Sequence, residues 1–117
     1  MTRIFVRIEF PSGTRFGPGK AALLEAVDRT GSISAAARDL DMSYRRAWLL
    51  LDSVNHLFAQ PTLEAGPGGA GGGGARLTTF GRNLLNRYRR LERAADRATA
   101  ADRRALERLA RTARPKK

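Results

Sequence analysis

Along RIFVRIEF (3–10), Ile4, Val6, Ile8 and Phe10 fall on one face of an extended chain, with Arg3, Arg7 and Glu9 on the other. A period of two built from β-branched and aromatic residues predicts a half-buried strand. PSGTRFGPG (11–19) follows as a loop, and Gly17-Pro18 opens the first helix. Proline is suited to a first helical turn because the N–H it lacks would be unpaired there anyway. Leu23, Leu24 and Val27 make that helix's apolar stripe, and Gly31 stands where a left-handed residue ends it. Ser34 is expected to cap a short second helix over AAARDL, whose alanines let a neighbouring helix come close. Asp41 then occupies a tight turn. Ser43 is expected to cap a third helix reaching about Phe58, with Ala47, Leu51, Val54 and Phe58 spaced as a core-facing stripe. Tyr44, Arg45, Arg46 and Leu49 fall on the other side, while Trp48, flanked by Ala and Leu, is expected in the core.

Further on, TLEA (62–65) and ARLTT (75–79) are short strand candidates that together form a hairpin. Between them lies a run dominated by glycine. A nucleotide-binding loop would need G-x-x-x-x-G-K-[ST], and no Lys-Ser or Lys-Thr follows these glycines. The run therefore reads as a hairpin tip, which either merely turns the chain or brings bare backbone up to a partner. Thr78 or Thr79 caps a last helix in which Phe80, Leu84, Tyr88 and Leu91 recur at near-heptad spacing. The stripe weakens to Ala95 and Ala98, and TAAD (99–102) has the capping-box spacing, so a further helix is expected from Ala100. The terminal ARPKK is expected to fray.

Charge sharpens this outline. Over 117 residues, 22 Lys+Arg against 11 Asp+Glu give a net charge of +11, and nearly all the cations are arginine. Such a balance points to a polyanion, most often nucleic acid, and arginine suits planar contact with phosphate or guanine. The excess is uneven: residues 1–77 carry a net +2 and residues 78–117 a net +9. Recognition by the N-terminal part must then rest on a few placed arginines.

Cysteine is absent and His56 is the only histidine, which excludes disulfides and thiolate zinc sites and leaves no His-rich metal site. His56 reads as a surface or helix-end residue. No apolar run approaches a membrane span of roughly 18 to 20 residues, and the N-terminus lacks a signal peptide's apolar core. The expectation is a cytoplasmic protein with no membrane partner. No carboxylate pair, activated nucleophile or metal cluster stands out, so neither catalytic residues nor a cofactor are expected.

Two short helices, a tight turn and a third helix with basic and aromatic residues at its start form a helix-turn-helix. The following hairpin completes a winged helix. The expected fold is thus mainly α with a small β-sheet: a winged helix-turn-helix over 1–78, then a long C-terminal helical segment over 79–117. An α-helix fits the major groove, where arginine contacts guanine O6 and N7 and Ser or Tyr reaches phosphates and base edges. Candidate contacts to double-stranded DNA are Ser32, Ser34, Ser43, Tyr44, Arg45 and Arg46, with Gly72, Gly73 and Arg76 in the wing. A helical interaction module that uses the same winged helix for protein or RNA is the alternative.

The segments LLEAVDRTGSISAAARDLDMSYRRAWLLLDSVN and GGAGGGGARLTTFGRNLL carry a family likeness. With GSISAAA, MSYRRAW and the glycine run ahead of LTTFG in one order, the chain resembles, over about residues 3–92, the N-terminal DNA-binding domain of ModE-type, molybdate-responsive transcription regulators, relatives of the LysR-type helix-turn-helix. The resemblance implies a third helix in the major groove and a last helix that pairs two subunits, with Phe80, Leu84, Tyr88 and Leu91 as the candidate seam of a homodimer. Two departures stand out. Asp41 occupies a turn position that commonly holds glycine, a change Asp tolerates better than most residues. Full-length members also continue into a molybdate-binding domain, whereas this chain stops after a basic helix. Direct molybdate binding is therefore not expected from it, whether it is a stand-alone regulator or part of a longer protein.

Overall fold

The N-terminal strand is much shorter than its alternation predicts. In the computed structural model, which describes residues 2–66 and 74–111, only Ile8–Glu9 (β1) pair, antiparallel to Arg15–Phe16 (β2), with Ile8 opposite Phe16 and Glu9 opposite Arg15. The ladder stops there because Gly17 and Pro18 turn the partner chain into a helix, and proline offers no N–H to extend the pairing. Ile4 and Phe5 are consequently exposed.

Helix α1 (Pro18–Thr30) starts as expected, with Gly17 as N-cap and Pro18 in its first turn. It ends at Gly31, whose φ of 82° is left-handed and whose N–H donates to the Val27 carbonyl at 2.8 Å. Ala21, Leu23, Leu24, Ala26 and Val27 are buried, and α1 sits centrally, packed by α2, α3, α4 and the second strand of the wing. Helix α2 (Ile33–Asp39) begins two residues earlier than the sequence suggested. Its cap is Ser32, not Ser34: the Ser32 hydroxyl accepts from the Ala35 N–H at 2.9 Å. The earlier start lets Ile33 pack against the core, while buried Ala36 and Ala37 supply the close-packing face that the alanine run anticipated.

Asp41 holds φ at 58°, the only left-handed non-glycine among the described residues, so the turn keeps its shape with aspartate in it. Helix α3 (Tyr44–Leu57) follows, with Ser43 as N-cap accepting from the Arg46 N–H at 3.0 Å. Leu63–Ala65 (β3) and Ala75–Leu77 (β4) pair antiparallel with Glu64 opposite Arg76, which is the expected wing. Among the described residues the β component is thus two separate two-stranded sheets in a mainly helical winged helix.

Helix α4 (Thr79–Ala98) is capped by Thr78, which accepts from the Gly81 N–H at 2.9 Å. Its fully buried residues are Gly81, Leu85 and Tyr88; of the stripe read from sequence, Tyr88 lies on that line, while Phe80 and Leu84 flank it partly buried. Phe80 meets Phe58 edge-on at 5.8 Å, and Phe58 meets Phe10 at 5.6 Å, joining α4, α3 and the first hairpin. Two arginines brace α4 against α1. Arg89 grips Glu25 through two bonds of 2.9 and 2.7 Å, and Arg82 donates to both Asp28 oxygens at 2.9 and 3.0 Å. The Glu25 carboxylate, reinforced by Glu92, holds the Arg89 guanidinium firmly in its charged form.

Helix α5 (Ala100–Leu109) begins where the capping spacing put it, but Thr99 makes no side-chain cap bond. Its hydroxyl donates back to the Ala95 carbonyl at 2.8 Å. Arg103 fixes the corner instead, reaching Thr99 Oγ1 at 2.9 Å, Asp96 Oδ1 at 2.8 Å and the Thr2 carbonyl at 3.3 Å.

Tyr88 is buried edge-on to Phe16, and its hydroxyl donates to the Val6 carbonyl at 2.6 Å. Burial, with the nearby Glu92 carboxylate, pushes its pKa from 10 up to about 12. A raised folded-state pKa contributes stability that is whole below pH 10 and is lost as pH climbs towards 12. Tyr88→Phe should therefore cost about 1 kcal/mol at pH 7 through the lost hydrogen bond. Urea titrations at rising pH should show that gap close between pH 10 and 12, where only the wild type loses this contribution.

Candidate nucleic-acid interface

Helix α3 is amphipathic in the sense that a reading helix needs. Ala47, Leu51 and Val54 are buried, Phe58 closes the stripe at its end, and the opposite side presents Tyr44, Arg45, Arg46 and Leu49 to solvent. Ser43 spends one lone pair on its cap, which leaves its O–H free to donate. Arg45 and Arg46 have no carboxylate within ion-pair distance among the described residues. The local fold thus exposes two cations in the first turn after the cap.

Trp48 departs from expectation. It is 46% exposed, because the core-facing line runs through Ala47 and Leu51 and carries position 48 to the side, toward the wing. There it borders a hollow that also touches Glu64 and Gly74. His56 is exposed at the far end of α3, with Nδ1 on the Asp52 carbonyl at 2.8 Å.

The other candidate residues divide by what they already hold. Ser32 is committed to capping α2, whereas Ser34 is exposed in that helix's first turn. Arg76 stands on β4 and donates to Glu64 Oε2 at 3.0 Å across the wing. Gly72 and Gly73 lie outside the described residues. Of the four seam candidates, Phe80 and Leu84 are partly buried, Tyr88 is committed to its own core, and Leu91 is exposed.

Sequence reading missed the lock that sets the wing. Thr62 is fully buried, and its N–H and hydroxyl both donate to Asn55 Oδ1, at 2.8 and 2.6 Å. Its carbonyl accepts from the Thr78 N–H at 3.0 Å, and the Thr78 hydroxyl donates to the Pro61 carbonyl at 2.7 Å. On the other strand, the Ala75 N–H donates to the Gly31 carbonyl at 2.9 Å, and Ser32 bridges to Gly74. The wing is thereby held in register with the last turn of α3 and the first of α4. Nothing in the spacing of Asn55 and Thr62 announces this, since their partnership exists only once the helix and hairpin meet.

Among the described residues no group of acidic or histidine side chains is arranged to hold a metal, and no helix is long and apolar enough to cross a membrane.

Comparison with known proteins extends the motif likeness to aligned sequence. The chain is 48% identical over 81 residues to the molybdenum-pterin-binding protein MopB of Rhodobacter capsulatus, covering 69% of this chain and 30% of that protein. It is 36% identical over 97 residues to the transcriptional regulator ModE of Haemophilus influenzae, covering 83% of this chain and 38% of the relative. The DNA-binding transcriptional dual regulator ModE of Escherichia coli K12 is 39% identical over 71 residues, with 61% of this chain and 27% of that one aligned. The chain therefore spans only about a third of the length of these curated relatives. No family model matches. Among solved structures, the CbnR DNA-binding domain, crystallised in complex with DNA, superposes with a TM-score of 0.60 at 24% identity, over 75% of this chain and 95% of that one. The winged-helix fold and the likeness to ModE-type regulators both stand on these matches.

Proposed function

We propose that this chain, similar over most of its length to the N-terminal part of ModE-type regulators, binds double-stranded DNA sequence-specifically and regulates transcription. The observation that carries the reading is the exposed start of α3, where Arg45 and Arg46, without carboxylate partners among the described residues, stand beside Tyr44 on a helix whose other face is locked into the core. In this reading α3 enters the major groove, arginine and hydroxyl groups set the register on phosphates, and the wing lies along the backbone or minor groove. The work of the chain is recognition rather than catalysis.

A selection from random duplex, followed by titration at several salt concentrations, tests it. The selected duplex should hold its advantage over random duplex as salt rises, because base contacts are less salt-dependent than phosphate contacts. Equal binding of selected duplex, random duplex and single-stranded RNA would favour a general interaction module instead.

We further infer a homodimer built by the segment 79–117. Tyr88 is used internally, so the pairing surface shifts outward to Leu91 and to α5, where Leu106 and Leu109 are 64% and 80% exposed. Sedimentation equilibrium should find a dimer at tens of micromolar, roughly the range where weak pairs populate. Leu106→Glu with Leu109→Glu should give a monomer of unchanged helicity, whereas a strictly monomeric wild type would contradict the pairing.

A further inference from the structure

The first two turns of α3 carry an apolar surface that phosphate binding does not require. Tyr44 is 55%, Trp48 46% and Leu49 49% exposed, and together with Arg45 they surround a shallow hollow of about 300 Å³. Tyr44 and Trp48 are one helical turn apart, as are Arg45 and Leu49, so two adjacent rows each run up the helix. Three large apolar side chains contiguous on one short face mark a contact surface rather than scattered exposure. A partner for it must offer negative charge next to small apolar groups, because Arg45 and Arg46 border the patch without carboxylate partners among the described residues. The major groove offers that pairing: phosphates along its edges, and on its floor the 5-methyl group of thymine, its one apolar substituent.

We propose that Trp48 and Leu49, with the ring of Tyr44, form a receptor for thymine 5-methyl groups, making thymine at defined positions part of the recognised sequence. This rests on α3 being the reading helix. Arg45 and Arg46 read charge and guanine edges, and the apolar rows discriminate among the bases left over. Trp48 stands on the wing side of α3, so its thymine lies toward the wing, and the one under Leu49 lies on the outward side of the helix.

Replacing thymine by deoxyuridine removes the methyl group and leaves pairing and phosphates as they were. In a duplex selected from a random library, single thymine-to-uracil changes should weaken binding about fourfold at one or two positions per half-site, the scale of one buried methyl. They should have no effect elsewhere. Trp48→Ala should erase the penalty at one such position and Leu49→Ala at another, each variant binding the thymine and uracil duplexes equally. Melting curves would confirm that the variants fold, and Leu49→Ala alone suffices should Trp48→Ala not fold. Since Trp48 is the sole tryptophan, its emission should change on binding the selected duplex and recover part of that change with the uracil duplex. Uracil scanning without effect, or a penalty that survives in both variants, overturns the methyl receptor while leaving DNA recognition intact. Failure to select any preferred duplex overturns the underlying reading, and the receptor with it.

Discussion

Replacing Gly81 by alanine should destabilise the fold by about 1–3 kcal/mol, the usual cost of forcing a methyl group into filled space. Ordinarily that substitution in a helix gains about 1 kcal/mol, because alanine is the better helix former. The sign reverses here because the first turn of α4 lies directly on the Thr62 backbone, and a Cβ on Gly81 would overlap the Thr62 carbonyl. Thr62 has little room to yield. Its N–H and hydroxyl are tied to Asn55, and its carbonyl already accepts from Thr78. Gly19, in the first turn of α1, has nothing within 4 Å of the corresponding position, so Gly19→Ala is the matched control and should be neutral or mildly stabilising. Urea denaturation of both variants decides the matter. A Gly81→Ala protein as stable as the wild type would mean that the wing is not clamped against α4 in solution.

That clamp also shows where sequence stops being informative. Features written in local chemistry were legible: Pro18 and Gly31 bracket α1, Ser43 caps α3, a threonine at 78 or 79 starts α4 (Thr78 is the cap), and Ala47, Leu51 and Val54 face the core. Asp41 belongs with them, since its side chain tolerates the φ that the turn requires. What sequence misplaced depends on partners far along the chain. Alternation in residues 3–10 describes a strand, but strand length is set by the chain opposite, which turns into α1 after Phe16. Two serines two residues apart compete to cap α2, and the burial of Ile33 decides for Ser32. Trp48 looked like core from its neighbours, yet position on the helix outranks composition, and the line through Ala47 and Leu51 leaves it outside. On α4, Tyr88 is drawn into the core by Phe16 and the Val6 carbonyl, and Gly81 and Leu85 are buried with it, a line that the heptad spacing of Phe80, Leu84, Tyr88 and Leu91 does not by itself indicate.

The arginines divide in the same way, which bears on how binding should respond to their loss. Arg82 and Arg89, in the basic C-terminal segment, are held by Asp28 and Glu25 of α1, so removing either would loosen α4 as well as lower the charge. Arg104 and Arg108 on α5 are exposed with no carboxylate in ion-pair range among the described residues, so they supply charge without bracing anything. Arg45 and Arg46 are equally unpaired but stand on the proposed reading surface.

Arg45→Ala or Arg46→Ala should accordingly weaken binding to the selected duplex by about 1–3 kcal/mol, if the side chain grips a guanine through two bonds. That corresponds to about a five- to 150-fold rise in Kd. Binding to random duplex should change far less, because a single lost cation costs only its share of released counterions. The selected sequence itself should then relax at one base position, with guanine no longer preferred there. Arg104→Ala combined with Arg108→Ala should do the opposite: binding to selected and random duplexes should fall together, and the slope of log K against log salt should become shallower, by roughly one to two for two lost phosphate contacts. Arg45→Ala combined with Arg46→Ala removes the same two charges as the α5 double substitution, so any difference between those two double variants reports position rather than net charge. A repeat selection with the Arg45→Ala and Arg46→Ala proteins that returns the wild-type sequence preference would remove both residues from base recognition and leave them only as phosphate contacts.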